Sequence, residues 1–597
     1  MEKDHSSDSH CTCHLPGRLS QKGLHDHISL AHDSRREFLR KGFGVIGTSL
    51  LSPLSASALL AEDGAARNRE IMRNKAIQDG KATVVSLLHT ADIHAQLLTH
   101  DEFFVENGKA VYRKRGGLAT LKSMVNVLRR QNPERSMLID GGDCFQGGGV
   151  AALTKGQAIV PLMNNIGYDL MLPGNWEVVY GKEMMMRDLF GYTANKTCAN
   201  MFHDTKDASN GELIFPPYQV RHFGNIKIGF IGYNDPLTPI RQSPAYSEGI
   251  RFAKPEENPE RYVRLLREYE KCNLVILVTH LGLTQQVALA NTPYAKGVDY
   301  ILGADTHERI RTPIQGVHAR VTEPGAFGSF VGKLDFVVEK GELKEQSYQL
   351  LDVDPEVYPE DPEMKKLIEE ARSPFRAELD KVIGVTKTPL LRYYVMETPM
   401  DNFITDAIMW KYSPDVALSN GFRFCPPLVP GHSGTAEITA DYLWSMLPVD
   451  SEAKQGIVSG QQLWTWLEKE LTNAFAKDPA KRFGGWVVRF KGMEVNITVN
   501  ADDGKRINWI KIKGQPIDLK RSYTFVACER EGDPDTTLCR VNNIGSPKKL
   551  GATLHSVIRE YLAQFSPISP ALEGRITATD APEDLLTQLS GYGYEFR

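Results

Sequence analysis

The run Val84-Val85-Ser86-Leu87-Leu88-His89-Thr90-Ala91-Asp92-Ile93-His94 decides how this chain reads. Its first half is short, apolar and β-branched, as a buried strand requires, and its end delivers a carboxylate and an imidazole two residues apart. Alone, Asp-x-His recurs by chance and means little. Here four further segments repeat the arrangement: Gly142-Asp143 after residues 137–139, Gly174-Asn175-Trp176-Glu177, His280 after residues 274–278, and Asp305-Thr306-His307 after residues 298–302. Hard and borderline ligands delivered from strand ends are what a pair of divalent cations requires.

Outward from these segments, Leu118, Leu121, Val125 and Leu128 keep helical spacing until Asn132-Pro133, and residues 226–231 supply another strand. Strand and helix alternate, which predicts a layered α/β core with its ligands at the carboxyl ends of strands, where open α/β sheets place their sites. A length of 597 residues exceeds what one core usually supports, so two domains are expected. Residues 82–352 form the first. Residues 353–384, where Pro355, Pro359 and Pro362 give way to a charged helical stretch, read as a linker helix. Residues 385–597 form the second, with helices at 402–412 and 461–471 and strands at 416–418, 487–499 and 509–512.

The charge balance excludes one partner class. With 70 basic against 74 acidic residues the chain lacks the cationic excess that phosphate neutralisation demands, so no nucleic acid is expected. The first 61 residues differ in kind. Arg35-Arg36 is followed by a mildly apolar stretch rich in Gly, Ser and Ala, which predicts a twin-arginine leader, periplasmic export and no stable membrane span. His5, His10, His14, His25, His27, His32, Cys11 and Cys13 precede it and read as an extended leader segment. The remaining cysteines, at 144, 198, 272, 425, 528 and 539, show no CxxC spacing. Neither a zinc knuckle nor a disulfide framework follows, and Cys144 reads as a small buried residue.

In order and spacing the five segments resemble the calcineurin-like metallophosphoesterases and, within them, the 5′-nucleotidase family, whose motifs run D-x-H, G-D, G-N-H-E, H and G-H-x-H. The resemblance implies a layered β-sandwich flanked by helices, followed by a smaller α+β 5′-nucleotidase C-terminal-type domain. It also implies that Asp92, His94 and Asp143 hold one metal, with Asp143 bridging to a second held by Asn175, His280 and either Asp305 or His307. Asp305 stands where the family usually has His. Oxygen and nitrogen ligands without thiolate suit two manganese ions, with zinc, iron or magnesium as alternatives.

Trp176 stands where phosphatases of the family have a His that assists the leaving oxygen. Indole supplies no titrating proton, and a sugar alkoxide is a strongly basic leaving group. A thiolate is different: an ordinary Cys thiol has a pKa of about 8.5 and leaves with little protonation. In this the chain resembles the SoxB-type thiosulfohydrolases of periplasmic sulfur oxidation, which share Trp-Glu here. Residues 400–407, 418–424, Pro430-Gly431, Gly484-Gly485 and 489–493 resemble that branch's second domain, and Arg423 matches a residue that brings a cation to the substrate anion. The resemblance thus places Trp176, Glu177 and Arg423 among the catalytic residues. Nucleotidases carry a Gly-Gly-Asp-Gly-aromatic segment for base stacking, whereas the nearest match, Glu531-Gly532-Asp533-Pro534, lacks the ring. The expected activity is release of sulfate from a cysteine S-thiosulfonate on a thiol carrier protein. Alternatives are a 5′-nucleotidase or other hydrolase of a small phosphoester, and a metal-stabilised binding protein without catalysis.

Overall fold

The computed structural model describes residues 82–206, 210–255, 258–340, 342–420, 425–478, 481–482 and 484–586. The leader with its paired arginines and His- and Cys-bearing segment lies outside these residues, and so does Arg423. From Asp79 onward the chain forms one compact unit, in which two lobes can be distinguished.

In the first lobe one sheet runs, in spatial order, Glu342–Asp352, Phe330–Glu339, Ala82–Thr90, Ser136–Asp140, Leu170–Met171 and Asn195–Lys196. The other runs Ile314–Gln315, Arg320–Thr322, Tyr300–Gly303, Leu274–His280, Ile226–Asn234 and Tyr218–Phe223. Val85 and Leu87 of the first sheet share one buried cluster with Phe230, Ile276 and Val278 of the second, and the Tyr300 and Phe336 rings meet edge to face at 5.8 Å. The lobe is therefore a sandwich, as expected, because both sheets bury continuous apolar strands against each other. Helix Leu118–Gln131 covers the first sheet with the face predicted for it, Leu118, Leu121, Val125 and Leu128 all buried. Helix Leu283–Ala290 adds to a separate buried cluster with residues of the second sheet.

The central strands are parallel, so their carboxyl ends point the same way. Strand Leu274–His280 outlasts its apolar run because Thr279 and His280 continue the ladder beside Tyr233 and Asn234. His280 is thereby the last residue of a central strand.

The predicted linker is a strut of the first lobe. Asp361 caps helix Pro362–Arg372 by accepting from Met364 N, and Met364 and Ile368 enter the first lobe's core. Arg372 then reaches Asp441 of the second lobe.

The second lobe holds a five-stranded sheet, Arg489–Lys491, Val416–Ser419, Ser522–Cys528, Glu452–Ser459 and Gly545–Thr553, and a four-stranded one built around Met493–Ile497 and Ile507–Ile512. Helices Pro399–Tyr412 and Leu554–Phe565 pack in one cluster, and Gly460–Phe475 in another. Residues 487–499 are not the single strand their composition suggests. At Gly492, φ is +91° and an added Cβ would lie 2.2 Å from the Asp415 carbonyl oxygen, so only glycine fits and the chain turns there from one sheet into the other.

Candidate metal centre

All seven predicted ligands converge where the parallel strands of the first lobe end. Asp92 and His94 follow strand Ala82–Thr90, Asp143 follows Ser136–Asp140, Asn175 follows Leu170–Met171, and Asp305 and His307 follow Tyr300–Gly303. Five of them have left-handed backbones: Asp92 (φ 53°), His94 (50°), Asp143 (59°), Asp305 (90°) and His307 (62°). Such conformations cost energy in non-glycine residues and persist where the surrounding fold enforces them. Here they turn each loop back so that successive side chains aim at one point.

The ligands divide into two overlapping groups. Asp92, His94 and His307 place donor atoms within 4.8 Å of one another, and so do Asp92, Asp143 and His280. His94 Nε2 and His307 Nε2 are 3.0 Å apart, and His307 Nε2 lies 3.6 Å from Asp92 Oδ1. Asp92 belongs to both groups, and Asp143 Oδ2 lies 3.1 Å from His280 Nε2 and 3.8 Å from His94 Nε2, so both carboxylates sit between the two sets of imidazoles. Asp305 Oδ1 is 3.9 Å from His280 Nε2 and accepts from Asn175 Nδ2 at 3.0 Å. His307 thus groups with Asp92 and His94, whereas Asp305 lies on the His280 and Asn175 side, two placements that the sequence leaves open.

Neighbouring groups fix how the ligands present themselves. Carbonyls only accept, so His280 Nδ1 donates to Gly141 O at 2.8 Å and His94 Nδ1 to Gln146 O at 3.2 Å, turning both Nε2 atoms inward. Glu177, grouped with the catalytic residues by resemblance, does something else. Its carboxylate accepts the backbone N–H of Gly174 (2.5 Å), Asp143 (2.9 Å) and Cys144 (2.7 Å), which ties two ligand loops together. It is a positioning residue, because its oxygens are consumed by these loops. Cys144 is fully buried, as expected, and its thiol donates to Asp140 Oδ2 at 2.8 Å.

The donor set fits divalent cations. Asp92, Asp143, His94 and His280 are buried to 2% exposure or less. Burial pushes the Asp92 carboxyl well above the usual range and holds His94 well below ordinary imidazole. At His280 burial opposes protonation, but Asp143, Asp92 and Asp305 outweigh it and raise the pKa well above the ordinary value. Yet His280 Nε2 lacks the alignment of a hydrogen bond to any of these carboxylates. Buried carboxylates around inward-facing imidazole nitrogens call for positive charge, and oxygen and nitrogen donors call for hard or borderline cations.

Sequence reasoning missed one strand end of the second sheet, beside those that carry His280, Asp305 and His307. Strand Ile226–Asn234 ends in Asn234-Asp235, the same polar pair after an apolar run seen at the other ligand loops, and that signal was available. Asn234 Nδ2 donates to Pro173 O (2.6 Å) and Gly174 O (2.9 Å), holding the Asn175 loop. Arg241, just beyond, bonds Asp305 Oδ2 at 2.7 Å and lies 3.2 Å from Asp235.

The centre opens into a cleft of about 230 Å³ between the lobes, with Asp143, Trp176 and His307 on one side and Ser419, Asn420 and Trp486 on the other. Trp176 also packs against the second lobe's buried cluster of Phe403 and Met446, and its backbone N–H donates to Asp143 Oδ1 at 2.7 Å.

Residues 85–309 match a sequence model of the calcineurin-like phosphoesterases, and residues 382–528 match one of the 5′-nucleotidase C-terminal domain. The trifunctional nucleotide phosphoesterase YfkN of Bacillus subtilis is 24% identical over 83% of this chain, which spans only 35% of that protein. Protein UshA of Escherichia coli is 23% identical over 83% of this chain and 93% of its own. Among solved structures, the sulfate thiohydrolase SoxB of Thermus thermophilus superposes with a TM-score of 0.76 at 22% identity, covering 84% of this chain and 98% of that one. A 5′-nucleotidase precursor from the same organism gives 0.71 at 22%, covering 84% and 100%.

Proposed function

From the premise that this chain is a metal-dependent hydrolase joining a calcineurin-like phosphoesterase domain to a 5′-nucleotidase C-terminal domain, we propose that it acts on a tetrahedral anion carried by a weakly basic leaving group. The preferred substrate is a cysteine S-thiosulfonate on a carrier protein, and the product is sulfate. The observation that carries this reading is Trp176, which lines the cleft immediately after Asn175, where a proton donor would be needed to expel an alkoxide.

When bound, two divalent cations, manganese in our reading, would supply Lewis-acid polarisation of the substrate oxygens and a lowered pKa for water. The chain's own residues do the rest. Asp92, His94, Asp143, Asn175, His280, Asp305 and His307 hold the cations, and Glu177 and Asn234 keep the ligand loops in register. Trp176 walls the cleft with an apolar face and leaves the departing sulfur to go as the persulfide anion of the carrier cysteine, the water oxygen ending in sulfate. Arg423 follows Ser419 and Asn420, which line the cleft, and its guanidinium supplies the countercharge for the anion's remaining oxygens. The paired-arginine leader carries the folded protein out of the cytoplasm; among the described residues no helix is long and apolar enough to cross a membrane.

A second reading, hydrolysis of nucleotides or another small phosphoester, is favoured by the names of the curated relatives and by the aromatic walls Trp486 and Tyr246 of the cleft. Product analysis separates the readings. Sulfate from a thiosulfonated cysteine peptide supports the first, efficient release of phosphate from AMP overturns it in favour of the second, and neither product from metal-loaded protein identifies a binding protein.

A further inference from the structure

Asp305 occupies a ligand position at which the resembled family usually carries a neutral His. A carboxylate there adds a negative charge beside Asp92 and Asp143, and its side chain is only 7% exposed. Water cannot screen that charge, so an uncompensated acid would unbalance the centre.

The chain meets it with Arg241, at the end of the short helix Thr238–Arg241. The two oxygens of Asp305 are divided in role. Oδ1 faces the ligands, accepting from Asn175 Nδ2 at 3.0 Å and lying 3.9 Å from His280 Nε2. Oδ2 faces away and accepts from the Arg241 guanidinium at 2.7 Å. Asp235 braces the guanidinium from a second side, at 3.2 Å, and is itself fixed by the Leu237 N–H at 2.9 Å. Arg241 borders the cleft, yet its charge is committed to two carboxylates rather than to a substrate anion.

We propose that Asp305 and Arg241 act as one unit in place of a neutral imidazole, the carboxylate serving as ligand to the second cation and the guanidinium cancelling the charge that the exchange introduces. The inference rests on the reading of Asp143, Asn175, His280 and Asp305 as that cation's site. A carboxylate alone would hold a divalent ion more tightly and would bring the negative substrate into a less positive centre. With Arg241 the centre keeps the charge that an imidazole would give it.

The test is the affinity for the second manganese ion in full-length protein, measured by titration calorimetry and by metal analysis after dialysis against graded manganese. Asp305→His alone removes a negative ligand while Arg241, still paired with Asp235, keeps its positive charge beside the centre, and should weaken the second ion about tenfold or more. Arg241→Leu should tighten it by a similar factor, Arg241→Lys should leave it nearly unchanged, and Asp305→His with Arg241→Leu should return to within about threefold of wild type. If Arg241→Leu alone does not fold, the comparison of Asp305→His with the double variant decides the matter. A double variant as weak as Asp305→His, or a weaker second ion in Arg241→Leu, overturns the charge-balance inference. Fewer than two ions in wild type, or two ions retained by His280→Ala, would instead overturn the site reading beneath it.

Discussion

The phenol of Tyr393, in the second lobe, donates a 2.5 Å hydrogen bond to Glu102 Oε1 of the first. Arg309 bonds the same oxygen at 2.5 Å, Ser329 Oγ donates to Glu102 Oε2 at 2.7 Å, and the Tyr393 ring stacks on Phe103 at 5.3 Å. Glu102 and Arg309 are nearly inaccessible, and Arg309 follows the ligand His307 by two residues. One buried polar knot therefore joins the lobes beside the metal centre. Tyr393→Phe removes one donor from a buried carboxylate and should cost about 1 to 3 kcal/mol. Glu102→Ala removes the carboxylate opposite the buried Arg309, whose remaining bonds go to the neutral Phe103 carbonyl and Tyr393 phenol, and should cost about 3 to 5 kcal/mol. Urea unfolding of both variants checks the order; equal costs would show that Tyr393, and not the ion pair, dominates the knot.

The proposed function gives Trp176 control over which leaving groups are expelled. Wild type should cleave activated esters such as nitrophenyl phosphate far better than AMP, and Trp176→His should narrow that gap by supplying a titrating group. The ratio of the two kcat/KM values is the measurement. AMP hydrolysis by wild type near the ~10⁴ to 10⁸ M⁻¹s⁻¹ usual for enzymes would remove the argument for a sulfur leaving group.

Asp140 should give metal-free protein a pH-dependent stability. Burial raises its carboxyl from 3.8 to about 6, against hydrogen bonds from Cys144, the Gly142 N–H and Tyr192. A carboxyl with a raised pKa holds its proton better in the folded state, so its contribution is fully present below pH 3.8 and is lost as pH rises through about 6. The loss is of order 3 kcal/mol, because each tenfold gain in proton affinity on folding is worth about 1.4 kcal/mol. Asp140→Asn cannot titrate, and its stability between pH 4 and 6 should be flatter than wild type in urea titrations. The slope is the test, since the substitution also changes the hydrogen bonds with Gly142, Cys144 and Tyr192 and so shifts the stability independently of pH.

Arg423→Lys keeps the charge but loses the bidentate fork, and catalytic efficiency should fall while metal content is unchanged. Arg423→Ala should fall further, by the equivalent of about 1.5 to 3 kcal/mol for a charged hydrogen bond. Steady-state kinetics on a thiosulfonated peptide provides the measurement. Wild-type turnover by Arg423→Ala would remove this residue from the cleft's chemistry.

The sandwich and the ligand positions were legible because both depend on local pattern. Apolar β-branched runs ending in Asp, Asn or His state a buried strand and a ligand loop together, and residues 84–94 and 274–280 do so within a dozen positions. Strand Glu342–Asp352 was not legible: its first half is mostly charged, polar and exposed, without a regular apolar pattern, and it is held at the sheet edge by pairing with Phe330–Glu339. The break at Gly492 was hidden for another reason. It is imposed by the carbonyl of Asp415, 77 residues away in sequence, which no local pattern can announce. Glu177 was misassigned because motif adjacency does not say whether a carboxylate faces the cations or the backbone behind them. Arg241 was missed because its role exists only in relation to Asp305.

The left-handed backbones at the ligand positions restrict what these positions can become. Among residues with side chains, Asn, Asp and His are those that most readily adopt positive φ, and they are also hydrogen-bonding or metal-ligating types. Asp305, at φ 90°, stands where the resembled family has His, and both belong to that short alphabet. Mutational drift at the centre is thus steered by chain geometry before selection for activity acts. The changes that the backbone tolerates exchange one ligand for another, so the centre can change its preferred ion or its charge without passing through a form that binds none.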